Sequence, residues 1–311
     1  MKNNNGKFLG LISGLFWGLD SVLLGLVLSS TLLINLGDSA SFVTTFIHDA
    51  ISFSLLLLLI LSKSQLPEFK KVLFSKSGFA IITAALLGGP IGMTAYILSI
   101  QYIGASLSSS ISAIYPIIGV LLAAIFLKEK IQKHNILGIL ISVLAIILMG
   151  LSALGTINNI FIGLGLVLIC AVGWGSEAVI IKGALKEDVS SETALAIRQM
   201  VTMLTYALLI IPFIGYRVVI DVISVPSIIS LIALSGVVGT ISYLYYYKAI
   251  DVLGAIQAMG LNITYPAWAF LFQFLITGEF NLYLFSLSIV IIIGSILSND
   301  NPKEFLTIFK K

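Results

Sequence analysis

Apolar residues come along this chain in long runs separated by short polar stretches. Runs of the length a helix needs to cross a bilayer, about 20 residues, fall at 8–30, 40–61, 78–100, 104–127, 134–154, 159–184, 192–214, 227–249, 254–277 and 282–298. Hydrocarbon offers backbone groups no water to bond, so each run must satisfy itself as a helix. The pattern predicts an all-α integral membrane protein of ten transmembrane helices with no appended soluble domain. The first run is long and lacks a small-residue cleavage site, so it is expected to be retained rather than cut as a signal peptide.

The polar punctuation sets an orientation. With the N-terminus in the cytoplasm, the segments on that side hold Lys2, Lys7, Lys63, Lys70, Lys71, Lys76, Lys128, Lys130, Lys133, Lys182, Lys186, Lys248, Lys303, Lys310 and Lys311, and the outer loops hold only Arg217. Positive charge concentrates on cytoplasmic loops, so both termini are expected there, as an even number of spans requires.

The chain also repeats itself. A shift of 150 places Gly89 on Gly239, Tyr96 on Tyr246, Gly104 on Gly254, Ala105 on Ala255, Tyr115 on Tyr265, Pro116 on Pro266 and Glu129 on Glu279, and a shift of 157 lays Trp17 and Asp20 on Trp174 and Glu177. Two copies of five helices, 1–154 and 155–311, are expected to form one unit around a shared central cavity. Five is odd, so the second copy must run inverted, the architecture of secondary transporters that bind substrate near the membrane midplane and alternate access around it.

Composition narrows the function. Hydrophobic residues make up 59% and charged residues 10% of the 311, far below the roughly 25% charged of soluble domains. The excess of 17 basic over 14 acidic residues is small and scattered, so no nucleic-acid partner is expected. Cys170 is the sole cysteine, which excludes an intramolecular disulfide. The chain has no P-loop, Cys/His metal cluster or Ser/His/Asp arrangement, so neither an enzyme nor a cofactor is expected.

Ten spans in two copies, a Trp in spans one and six, and a Tyr-Pro with a Glu thirteen residues after the Pro, at 116–129 and 266–279, resemble the drug/metabolite transporter superfamily in its EamA-type branch, over essentially the whole chain. The resemblance implies a carrier or exchanger of small metabolites in a bacterial plasma membrane, driven by protons or another gradient. At Trp17, Asp20, Trp174 and Glu177 the chain further resembles LicB-type bacterial choline permeases.

Mid-span polar residues carry the candidate chemistry. A carboxylate in the middle of a span costs about 2.5 kcal/mol or more unless it is paired, protonated or facing water, and Asp20 and Glu177 each lie three residues after a Trp, on the same helix face. Two indoles and two carboxylates are thus expected to face the cavity, a combination suited to a quaternary ammonium, which has no N–H to donate and is held by aromatic faces. Tyr115, Tyr265, Tyr243 and Tyr246 are expected to complete the cage, with Asn262 placed to bond a ligand hydroxyl. His48, Asp49 and Arg198 are gating or coupling candidates: His48 is suited to relay protons near neutral pH, and Arg198 is expected to pair with Asp49. Tyr245 and Tyr247 read as membrane-belt residues, Trp268 as either packing or cavity, and Glu129 and Glu279 as loop locks. Gly14 and Gly18 should let a helix approach closely, and Pro90, Pro116 and Pro266 should kink theirs. Besides a small cation, the expected partners are protons and lipid. Two other readings stay open: an exporter of amino acids or other metabolites, and a membrane enzyme acting on lipid-linked substrates, which should cluster its polar residues at one face.

Overall fold

The computed structural model describes residues 2–152, 157–185 and 188–299, without the side chains of residues 2, 3, 105 and 106. Lys186, Lys303, Lys310 and Lys311, and the expected boundary at 154, lie outside the described residues. Among those described, ten helices are long and apolar enough to cross a membrane: α1 (Asn4–Leu28), α2 (Ser39–Ser62), α3 (Lys76–Gly104), α4 (Leu107–Leu127), α5 (Lys133–Leu151), α6 (Ile160–Ala184), α7 (Ser191–Ile214), α8 (Pro226–Leu253), α9 (Ala255–Thr277) and α10 (Leu282–Asn299). Each matches one expected run, with ends moved by a few residues.

Local chemistry sets several of those ends. Asn159 accepts from the amides of Phe161 and Ile162 at the start of α6, and Ser190 does so from Thr193 at the start of α7. Such caps satisfy amides that a helix leaves open at its first turn. The joints between α3 and α4 and between α8 and α9 turn on Gly104 (φ 77°) and Gly254 (φ 90°), a backbone region that favours glycine. Short amphipathic helices at Leu66–Leu73 and Tyr216–Ile223 bridge α2 to α3 and α7 to α8, burying Phe69 and Val72 in one case and Val219 and Val222 in the other.

The prolines break the long helices where expected. Pro90 lies in a π-helical turn, Leu87–Ile91, inside α3. Tyr115-Pro116 and Tyr265-Pro266 each restart a helix after a turn, at 113–114 in α4 and 263–264 in α9. Interrupted helices of this kind survive at membrane depth only where they line a protein interior or a cavity.

Packing runs between the two halves. α1 lies along α8 and α9, α6 along α3 and α4, α5 along α10, and α2 along α7. The close approach of α1 to α9 requires Gly14 and Gly18: a Cβ on Gly18 would stand 2.7 Å from both the Trp268 Cβ and the Tyr265 carbonyl oxygen. Large apolar side chains such as Phe74, Phe79, Phe161 and Phe213 stay exposed on the outer surface, as a lipid-facing surface allows.

Candidate functional site

At the level of the breaks in α4 and α9, aromatic rings from five helices converge. Trp17 of α1 stacks on Tyr265 of α9 with ring centres 4.6 Å apart, and lies 6.1 Å from Trp174 (α6), 6.3 Å from Tyr243 (α8) and 6.5 Å from Tyr115 (α4). Tyr115 meets Trp174 edge-on at 6.1 Å. Trp17, Trp174, Tyr243 and Tyr265 are all mid-helix yet keep partial exposure, as residues lining an internal space do. Two polar anchors fix the walls: the Trp174 indole donates to the Gly88 carbonyl at 3.0 Å, within the π-helical turn, and the Tyr115 hydroxyl donates to Asn262 Oδ1 at 3.0 Å. Asn262 in turn donates to Ser13 Oγ at 2.9 Å. Its amide oxygen and one amide N–H are therefore engaged and buried, and it orients Tyr115. Tyr246 is buried beside the box and makes no ring contact with it among the described residues.

The carboxylates are each paired with a base on the following helix. Glu177 Oε1 accepts from Arg198 Nε at 3.1 Å and from the Tyr247 hydroxyl at 3.0 Å. Arg198 also donates to Gln199 Oε1 at 2.8 Å and to the Tyr243 hydroxyl at 3.1 Å, with its guanidinium 4.5 Å from the Tyr243 ring centre. On the other side, Asp20 accepts from the Ser235 hydroxyl and lies 3.6 Å from His48 Nε2, while His48 Nδ1 is 3.1 Å from Asp49. The expected Arg198–Asp49 pair thus gives way to Arg198–Glu177 and His48–Asp49. Glycines make the room: Gly88 backs onto the Glu177 carboxylate and Gly239 onto Asp20 and His48. All five ionisable groups are nearly fully buried.

Residues 4–151 and again 161–299 match the EamA-like transporter family. The chain belongs to this family. It is also 30% identical over 266 residues to Protein LicB of Haemophilus influenzae, spanning 85% of this chain and 86% of that protein. A protein known from its crystal structure superposes with a TM-score of 0.75 at 16% identity, over 94% of this chain and 96% of the other; at that identity the likeness speaks for the fold alone. Ten apolar helices in a transporter family make the chain a multi-pass membrane protein.

Within this EamA-like fold, several site residues escaped the sequence reading. Tyr247, expected at the membrane belt, is buried and holds Glu177; its signal was the four-residue spacing from Tyr243, which puts both on one helix face. Tyr96 packs on Trp174 at 5.6 Å, and its register with Tyr246 was the available sign. Ser235 and Ser52 carry none, since a serine in an apolar helix is compatible with any face; Ser52 accepts from Gln199 at 2.8 Å and from Thr240 at 2.7 Å, tying α2, α7 and α8 together. Glu129 does lock a joint, accepting from the amides of Ala255 and Ile256 at 3.0 and 3.2 Å. Glu279 is exposed. At the start of α7, Glu192 bridges Lys63 at 2.8 Å and Lys248 at 3.0 Å.

Proposed function

We propose that this EamA-like carrier is a secondary transporter of a small organic cation, choline or a related quaternary ammonium compound, taken up together with protons by alternating access. The aromatic box is the observation that carries this reading. Five rings lie in one cluster with centres 4.6 to 6.5 Å apart, and each π face turned to a bound cation would hold it by about 0.5 to 2 kcal/mol, the more so when dry. The charge balance has the matching sign: Asp20, Asp49 and Glu177 outnumber Arg198 and His48 around the box. An anionic solute would meet a guanidinium already committed to Glu177, Gln199 and Tyr243. The likeness to Protein LicB accords with the resemblance to LicB-type permeases at Trp17, Asp20, Trp174 and Glu177.

Two inverted repeats with both termini cytoplasmic supply the transport cycle in this reading. Supporting it, the paired features recur 150 residues apart in structure as in sequence: the positive-φ joints Gly104 and Gly254, the Tyr-Pro restarts and the connecting helices beginning at Leu66 and Tyr216.

The test is ligand-dependent thermal stabilisation of the purified protein, since a ligand that binds only the folded state must raise its apparent stability. Choline is expected to stabilise the wild type, and Trp17→Ala to abolish the effect. Silence toward choline, betaine and carnitine with a response to arginine or an aromatic amino acid would replace this reading with that of an amino-acid exporter.

A further inference from the structure

The two buried acid–base pairs occupy corresponding positions in the two halves but differ in chemistry. Glu177 is held by Arg198 and Tyr247, and the remaining guanidinium donors go to Gln199 and Tyr243. A guanidinium does not give up its proton in proteins, so this pair is a fixed strut that also positions one wall of the box. The other pair is built around an imidazole. His48 stands between two carboxylates, with Nδ1 3.1 Å from Asp49 and Nε2 3.6 Å from Asp20, and Nε2 is buried without a hydrogen-bond partner. Unlike a guanidinium, an imidazole can both take up and release a proton.

We propose that the Asp20–His48–Asp49 cluster is the site of the coupling proton, and that one proton travels with each monovalent cation. This rests on the cation reading above. The stoichiometry comes from counting buried charge. Asp20, Asp49 and Glu177 contribute three negative charges and Arg198 one positive, which leaves two negative charges with His48 neutral. Uncompensated charge in a low-dielectric interior is costly, so the occluded carrier is favoured when both are cancelled. A proton on His48 cancels one and the organic cation in the box cancels the other. The groups around the cluster are Asp20 from α1, Asp49 from α2 itself, Arg198 and Tyr206 from α7, and Tyr243 from α8; α3, which also touches α2, brings Tyr96, whose ring lies on Trp174. Glu192 stands apart with Lys63 and Lys248 and does not enter the count. The link between proton and cation is short, because Asp20 sits one helical turn from Trp17.

The test is the charge moved per choline by the full-length protein in liposomes, from the integrated current and tracer uptake in the same preparation. The wild type is expected to move two charges per choline and to accumulate choline down an inward proton gradient. Asp49→Asn removes one negative charge, so the ratio should fall to one and the proton gradient should lose its effect, while membrane potential still drives uptake. Asp49→Ser provides the same test should Asp49→Asn fail to fold. A wild-type ratio of one, or a ratio of two in both variants, overturns the assignment. Choline-dependent thermal stabilisation in the same samples separates the two levels: its absence in the wild type removes the cation reading and this inference with it, whereas stabilisation with the wrong ratio removes only the proton site.

Discussion

Replacing Trp17 with alanine removes the ring at the centre of the box, the one that contacts Trp174, Tyr115, Tyr243 and Tyr265 together. Two losses follow. The direct one is a cation–π face in a desolvated site, about 2 kcal/mol. The indirect one is the support Trp17 gives its stacked partner Tyr265; aromatic pairs contribute about 0.5 to 1.5 kcal/mol beyond buried area. Together these amount to roughly 2.5 to 3.5 kcal/mol, which at about 1.4 kcal/mol per decade is a loss of roughly 60- to 300-fold in choline affinity. Trp17→Phe keeps a smaller π face in the same place and should lose about tenfold or less. Isothermal titration of the two purified variants against wild type measures both. An affinity for choline within threefold of wild type in Trp17→Ala would refute the cage.

Three further outcomes follow from the same geometry. Arg198→Leu leaves Glu177 buried beside an apolar side chain; breaking a buried pair in this way costs about 3 to 5 kcal/mol, so a clear drop in thermal unfolding temperature is expected, and an unchanged midpoint would show that Glu177 is not held as described. Gly18→Ile forces a side chain into the Tyr265 carbonyl and Trp268, whereas Gly25 has nothing within 4 Å of an added Cβ, so Gly18→Ile should abolish monodisperse protein in size-exclusion chromatography while Gly25→Ala leaves it intact. Glu129→Ala removes two bonds from the first turn of α9, a loss of about 1 kcal/mol by analogy with helix caps, and in a Cys170→Ser background it should speed thiol labelling of Gln257→Cys at that joint; equal labelling rates would show that Glu129 locks nothing.

What could be read in advance divides along a physical line. The ten spans were legible because hydrocarbon imposes length and apolarity on any helix that crosses it, and the breaks at Tyr115-Pro116 and Tyr265-Pro266 because proline cannot donate to the helix ladder. Trp17, Trp174, Tyr115 and Tyr265 were singled out by depth and repetition and Tyr243 by its place in span eight, and the fold brings the five together. Pairing was harder. Sequence register aligns Arg198 with His48 but does not say which carboxylate each one meets, because that depends on how α1 and α6 rotate against α2 and α7. In the structure Gly88 leaves room for the Glu177 carboxylate beside Arg198, and Gly239 for Asp20 beside His48. Tyr247 was misplaced at the membrane belt for a related reason: its spacing from Tyr243 shows the helix face the two share but not that this face meets Glu177.

The most direct measurement of the central claim is a comparison of choline with its uncharged isostere 3,3-dimethyl-1-butanol, titrated separately into the wild-type protein by calorimetry. The two have nearly the same shape, so apolar burial treats them alike, and only the cation engages the ring faces and the carboxylate excess. The account predicts that choline binds and that the isostere binds at least a hundredfold more weakly. Equal affinities, or binding of the isostere alone, would contradict it.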